Sequence, residues 1–128
     1  MKYTYFIFLL CFLSFLPAQN NSDKQKVIDS LISTVDTYTD NYEKIRVLTS
    51  NAGQFRYSKD SRALIDKAIS ISKTNNDAKL FANSYYSLGN FFYYNSQLDS
   101  AEIYLDKSIS YVNDETMPFL RASNLMTK

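Results

Sequence analysis

The chain has 128 residues, enough for one small domain, with 14 Lys and Arg against 13 Asp and Glu. It contains no histidine, the commonest general base and metal ligand, and its single cysteine excludes a disulfide framework and a cysteine-type zinc site. A net charge of +1 gives no long-range attraction to nucleic acid, and only two glycines and two prolines favour helices over a turn-rich β architecture.

The N-terminus has the layout of an export signal. Met1 and Lys2 supply a positive start, residues 3–16 are almost unbroken apolar and aromatic, and Pro17 and Ala18 precede the polar run of residues 19–23. Cleavage is expected after Ala18, which makes residues 1–18 a signal peptide. The alternative is an uncleaved membrane anchor, although the apolar run is short of the roughly 20 residues that a span needs. Cys11 lies inside this run. Lipidation there would require small residues before it, where the chain has Leu9 and Leu10.

From residue 23 onward the apolar residues recur at helical spacing. Val27, Ile28, Leu31, Ile32 and Val35 predict an amphipathic helix over 23–37, with Ser22 or Asp23 as its cap. Ile45, Leu48, Ala52 and Phe55 predict a second helix over 42–57. Leu64, Ile65, Ala68, Ile69 and Ile71 predict a third, capped by Asp60 or Ser61 and broken at 74–77. A fourth covers 78–94, with Phe81, Tyr85, Leu88, Gly89 and Phe92 on one stripe. After a turn at 95–97, Asp99 or Ser100 is expected to cap a fifth helix that reaches about residue 112. Residues 117–128 have the pattern of a sixth. No stretch alternates with period two for long enough to predict a strand, so the fold class is all-α.

The pattern repeats. Residues 105–110 (Leu-Asp-Lys-Ser-Ile-Ser) match residues 65–70 (Ile-Asp-Lys-Ala-Ile-Ser) at an offset of 40. The upstream helices align at 37, with Phe92 over Phe55, Gly89 over Ala52 and Tyr85 over Leu48, which implies a shorter turn in the first copy. A helix–turn–helix unit of this length resembles the tetratricopeptide repeat (TPR). In the second copy, residues 78–114, Tyr85 stands where the family has Trp, and Leu88 and Gly89 match its Leu-Gly pair. Phe92 takes the first-helix Tyr position, Ala101 the small residue that opens the second helix, Leu105 the aromatic position and Ser108 the second Ala. Ser96 replaces the turn glycine, Leu98 the second-helix Tyr and Asn113 the closing Pro. The first copy, residues 42–77, is more degenerate, with Asn51 and Ala52 in place of Leu-Gly.

The resemblance implies an α-solenoid of antiparallel helix pairs that binds a protein or peptide, without cofactor or metal, on a concave face built from the first helix of each pair. In the second copy that face would show Asn83, Tyr86, Asn90, Tyr93 and Tyr94. In the first copy, at the 37 offset, it would show Arg46, Thr49, Gly53 and Arg56. Asparagine amides pair with peptide backbone and tyrosines give flat amphipathic contact area. The plainer alternative is that the tyrosines pack the fold and the asparagines are solvated. Tyr85, Leu88, Gly89, Phe92, Ala101, Leu105 and Ser108 are expected to pack the repeat.

Residues 117–128 resemble the first helix of a further repeat, so the chain is expected to be the front part of a longer protein. Exported arrays of this layout resemble the N-terminal regions of bacterial membrane-bound regulators. Two functions are therefore open: a periplasmic or secreted binding module, or the sensory region of a membrane-bound kinase or DNA-binding regulator. Any membrane contact is expected only through the N-terminal segment or a downstream part, and none with nucleic acid. Asp99, Glu102 and Asp106 share one helix and read as a solvated face rather than a metal or acid–base site. Ser61 and Ser100 have no histidine to activate them, and Gly53 and Gly89 are too few and too far apart for a phosphate loop. No enzyme signature is present.

Overall fold

A computed structural model describes residues 16–112, with side chains from residue 22 onward. Most of the expected leader (1–18) and the expected sixth helix (117–128) lie outside the described residues. Among those described, five α-helices and one 3-10 turn account for the regular structure, and there is no strand.

Helix α1 spans Leu16–Asp36. It starts well before the expected residue 23 and runs through the boundary expected at residue 18. Ser22 and Asp23 therefore lie within the helix and are not its cap. Pro17 is tolerated because it falls in the first turn, where its missing N–H has no partner to lose, and no glycine or proline follows to break the helix. Ile28 and Val35 are fully buried, whereas Val27 is turned outward.

Helix α2 spans Asn41–Gln54, and the Asp40 side chain caps it by accepting from the Tyr42 N–H. It stops short of the expected residue 57 because Arg56 and Tyr57 adopt left-handed backbone. A 3-10 turn, Lys59–Ser61, leads into helix α3, Arg62–Asn75. Ser61 does not cap α3 with its side chain; its hydroxyl donates back to the Ser58 carbonyl at 2.7 Å. Asn76, left-handed at φ 50°, closes α3.

Helix α4 spans Ala78–Tyr94, with Asp77 accepting from the N–H groups of Lys79 and Leu80. Helix α5 spans Leu98–Ser110. Gln97 stands at its N-cap without a side-chain bond, so Asp99 and Ser100 belong to the first turn instead of capping it.

The two hairpins open their turns with the same three bonds. Phe55 N–H bonds Asn51 O, Arg56 bonds Gly53 O and Tyr57 bonds Ala52 O; 40 residues on, Asn95 bonds Phe91 O, Ser96 bonds Tyr93 O and Gln97 bonds Phe92 O. Beyond these bonds the first connection is the longer one, residues 55–61 with the 3-10 turn against 95–97 in the second, so the expected shorter first turn is not present. The 37-residue offset belongs to the helix starts, Asp40 and Asp77. α4 has 17 residues against 14 in α2, the difference lying at its N-terminus. Gly89 is thus the counterpart of Thr49, and Phe92 that of Ala52.

Successive helices pack antiparallel. Asn41 Nδ2 at the start of α2 donates to Asn75 Oδ1 at the end of α3, 2.7 Å away. Ser108 Oγ on α5 donates to Ala82 O near the start of α4, and Gly89, further along α4, faces Leu105, one turn back on α5. Ile28, Val35, Ile45, Leu48, Ala52, Leu64, Ile65, Ala68, Leu80, Tyr85, Leu88 and Phe91 form one continuous core that joins α1 to α4. Burying each large side chain contributes about 1.5–3 kcal/mol. Ser72 and Ser84 sit inside it with hydroxyls 2.7 Å apart, and Ser72 Oγ also lies 3.0 Å from Leu80 O, so α3 is tied to α4 by a satisfied polar contact.

Candidate functional site

Helices α2 and α4 pack side by side and run in the same direction, since each is antiparallel to α3. Their shared face carries the residues singled out from the sequence. Asn83 is half-buried, and its Nδ2 donates to Lys79 O at 3.1 Å. Tyr86 is half-buried one helical turn on. Asn90, a further turn along, is only 6% exposed. Tyr93 and Tyr94 stand open at the turn end, 43% and 62% exposed.

Asn90 is covered by a residue that the sequence did not suggest. The phenol of Tyr57 reaches from the first turn to the side chains of Asn90 and Ser87, which hydrogen-bond to it. The Tyr57 ring stacks on Tyr94, with centroids 5.5 Å apart and planes at 20°. Its hydroxyl lies over Gly53, where an added β-carbon would stand 3.5 Å from it. Burial pushes the Tyr57 phenol above its ordinary pKa, and the bonds from Asn90 and Ser87 act weakly in the other direction. Asn95 Nδ2 donates to Tyr57 O at 2.9 Å, which fastens the turn itself to the end of α4.

In the first copy, the 40-residue register puts Glu43, Arg46, Ser50 and Gly53 opposite Asn83, Tyr86, Asn90 and Tyr93. Arg46 faces outward as expected, but its guanidinium is held by Glu43 at 2.7 and 2.9 Å. Thr49 instead occupies the packing position, its hydroxyl bonded to Ile45 O at 2.9 Å. Arg56 sits in the turn at φ 52°.

The expected packing residues lie between α4 and α5. Tyr85, Leu88, Gly89, Ala101, Leu105 and Ser108 are buried and Phe92 is partly so. Around them a set of near-parallel rings links the helices: Phe81 to Tyr111 at 5.0 Å, Tyr85 to Tyr104 at 6.1 Å and Phe92 to Tyr104 at 5.3 Å. Lys107 Nζ lies 4.5 Å from the centre of the Tyr85 ring. Asp99, Glu102 and Asp106 are exposed on α5. Among the described residues, no group of three or more Cys, Asp or Glu is placed to hold a metal, and no helix is long and apolar enough to cross a membrane.

Tyr57 carried no signal in the sequence. A helical reading of 42–57 places it at the end of a helix, and only the left-handed turn brings its ring over α4. Comparison of the chain with protein-family models, with curated proteins and with solved structures finds no match.

Proposed function

We propose that this chain is an exported, tetratricopeptide-like repeat module that captures another polypeptide on the face shared by α2 and α4 and catalyses nothing. The observation that carries this reading is the character of that face. Tyrosines dominate it, Tyr93 and Tyr94 are exposed, amides stand beside them, and its one close charge pair, Glu43 with Arg46, is internally neutralised. Rings with a polar tip give contact area at low entropic cost, and they are the residue type enriched where proteins bind each other.

Three features support the solenoid assignment: two hairpins with the same three turn bonds 40 residues apart, a glycine on α4 where a β-carbon would meet Leu105 of α5, and a left-handed Ser96 where the family has glycine. Export rests on the composition of residues 1–18.

An array of immobilised peptides of varied composition tests the binding function. Selective capture by the full chain, lost in a Tyr93→Ala/Tyr94→Ala variant that melts normally, is the expected result. Capture at background level, or capture indifferent to that double change, would refute it. Fusing residues 1–22 to a phosphatase that is active only outside the cytoplasm tests export, and an inactive fusion would remove that part of the proposal.

A further inference from the structure

The turn end of the α2–α4 face holds a three-ring cluster that the repeat alone does not explain. Tyr94 stacks on Tyr57 and meets Tyr93 edge-on, with centroids 5.7 Å apart and planes at 88°. The second turn has one left-handed residue, Ser96 at φ 60°, followed by Gln97 at −103°. The first turn has two in succession, Arg56 at 52° and Tyr57 at 49°. The additional one is Tyr57 itself, a residue whose β-carbon resists that conformation. Its effect is to swing the phenol ring off the turn and onto Tyr94. Local backbone strain of this kind is concentrated at binding sites.

The spacing along α4 narrows the ligand. Tyr86 and Tyr93 are seven residues apart on one helix face, about 10 Å along the axis. One turn of a polyproline II segment advances three residues and about 9 Å. Prolines three apart in such a segment would meet both rings in register. Polyproline II also leaves its carbonyls without internal partners. The hydroxyls of the exposed Tyr93 and Tyr94 are donors at the cluster.

Charge narrows it further. Arg46 is closed by Glu43, and Arg62 is engaged by Asp66 and lies over Phe91 and Phe92. With both guanidiniums paired, neither offers its charge to an acidic ligand. The hydroxyls and amides of the face do not suit the apolar stripe of an amphipathic helix. We infer that Tyr57, Tyr86, Tyr93 and Tyr94 form a subsite for an uncharged, proline-rich extended segment. This inference rests on the reading of the same face as a polypeptide-binding one and names its ligand class.

The test is a fluorescence-polarisation titration of the full chain with three labelled peptides of equal length: one with prolines at every third position, one of glycine and serine, and one acidic. The proline peptide is expected to bind in preference to the other two. Tyr94→Ala should weaken it by at least about tenfold. Ile103→Ala, at an equally exposed apolar position on α5, should leave it unchanged. Circular dichroism melts of both variants establish that they are folded. Equal affinity for all three peptides, or proline-peptide binding that survives Tyr94→Ala, overturns the subsite. Preferential binding of the acidic peptide overturns the ligand class while leaving polypeptide capture standing. Capture of none of the three overturns the subsite, and the peptide array then decides whether polypeptide capture stands.

Discussion

A β-carbon placed on Gly89 falls 2.7 Å from Cγ and Cδ2 of Leu105 and 3.2 Å from its backbone nitrogen. The side-chain approach is shorter than real β-carbon contacts, so the second hairpin depends on the absence of a side chain at this position. Glycine inside a helix costs about 1 kcal/mol relative to alanine, which the close approach offsets. Gly89→Leu is expected to abolish cooperative unfolding, and Gly89→Ala to destabilise by about 1–3 kcal/mol despite its better propensity. The pairing with Leu105 is checked by a double-mutant cycle. In a Leu105→Ala background, itself about 2–5 kcal/mol less stable, Gly89→Ala should become neutral or stabilising. Additive denaturation midpoints would show that the close approach is not what makes glycine necessary.

Ser96 adopts φ 60° between Tyr94 and Leu98, the conformation in which glycine has no β-carbon to strain. Ser96→Gly is expected to raise stability by about 0.5–1 kcal/mol, the relief of left-handed strain exceeding the added unfolded-state entropy of glycine. Thermal denaturation should show a rise of a few degrees. A fall in melting temperature would mean that the Ser96 side chain stabilises the turn in some way its geometry does not reveal.

That position also shows what could be read from the sequence. The missing turn glycine was identifiable at Ser96, and α4 was legible to the residue, because Asp77 caps it and Asn95 to Gln97 end it. The matched segments 65–70 and 105–110 fixed the register of the second helices. The register of the first helices was misread, for a physical reason. α4 is three residues longer than α2 at its N-terminus, and three residues are nearly one turn of 3.6. Offsets of 37 and 40 therefore superimpose almost the same apolar stripe, and only the turn hydrogen bonds distinguish them. The start of α1 at Leu16 was hidden because the polar residues 19–23 look like a cap and a chain boundary, yet nothing in them breaks a helix. Tyr57 was invisible because its role comes from two left-handed residues without a glycine to announce them.

Tyr57 joins the two hairpins through its ring, its hydroxyl and its carbonyl. Tyr57→Phe keeps the stack on Tyr94 and leaves the buried Asn90 and Ser87 short of a partner, a loss of about 1–2 kcal/mol. Tyr57→Ala removes the ring as well and should cost more, by about the 0.5–1.5 kcal/mol of an aromatic pair plus its lost burial. Urea denaturation of the two variants against the parent gives the order. If Tyr57→Phe matched the parent, the phenol bonds to Asn90 and Ser87 would contribute nothing net.

The same hydroxyl predicts a dependence on alkaline pH. Burial raises the Tyr57 pKa in the folded chain above the ordinary value of about 10. The folded state therefore holds this proton more tightly than the unfolded state does. The stabilisation is fully present below the unfolded pKa and is lost as pH rises through the folded one. The parent chain should lose stability more steeply above about pH 10 than Tyr57→Phe, which has no proton to release there. Phenolate absorbance followed against pH should show one fewer late-titrating group in the variant. Coincident titration curves, after allowance for one phenol, would place the Tyr57 hydroxyl in water rather than against Asn90.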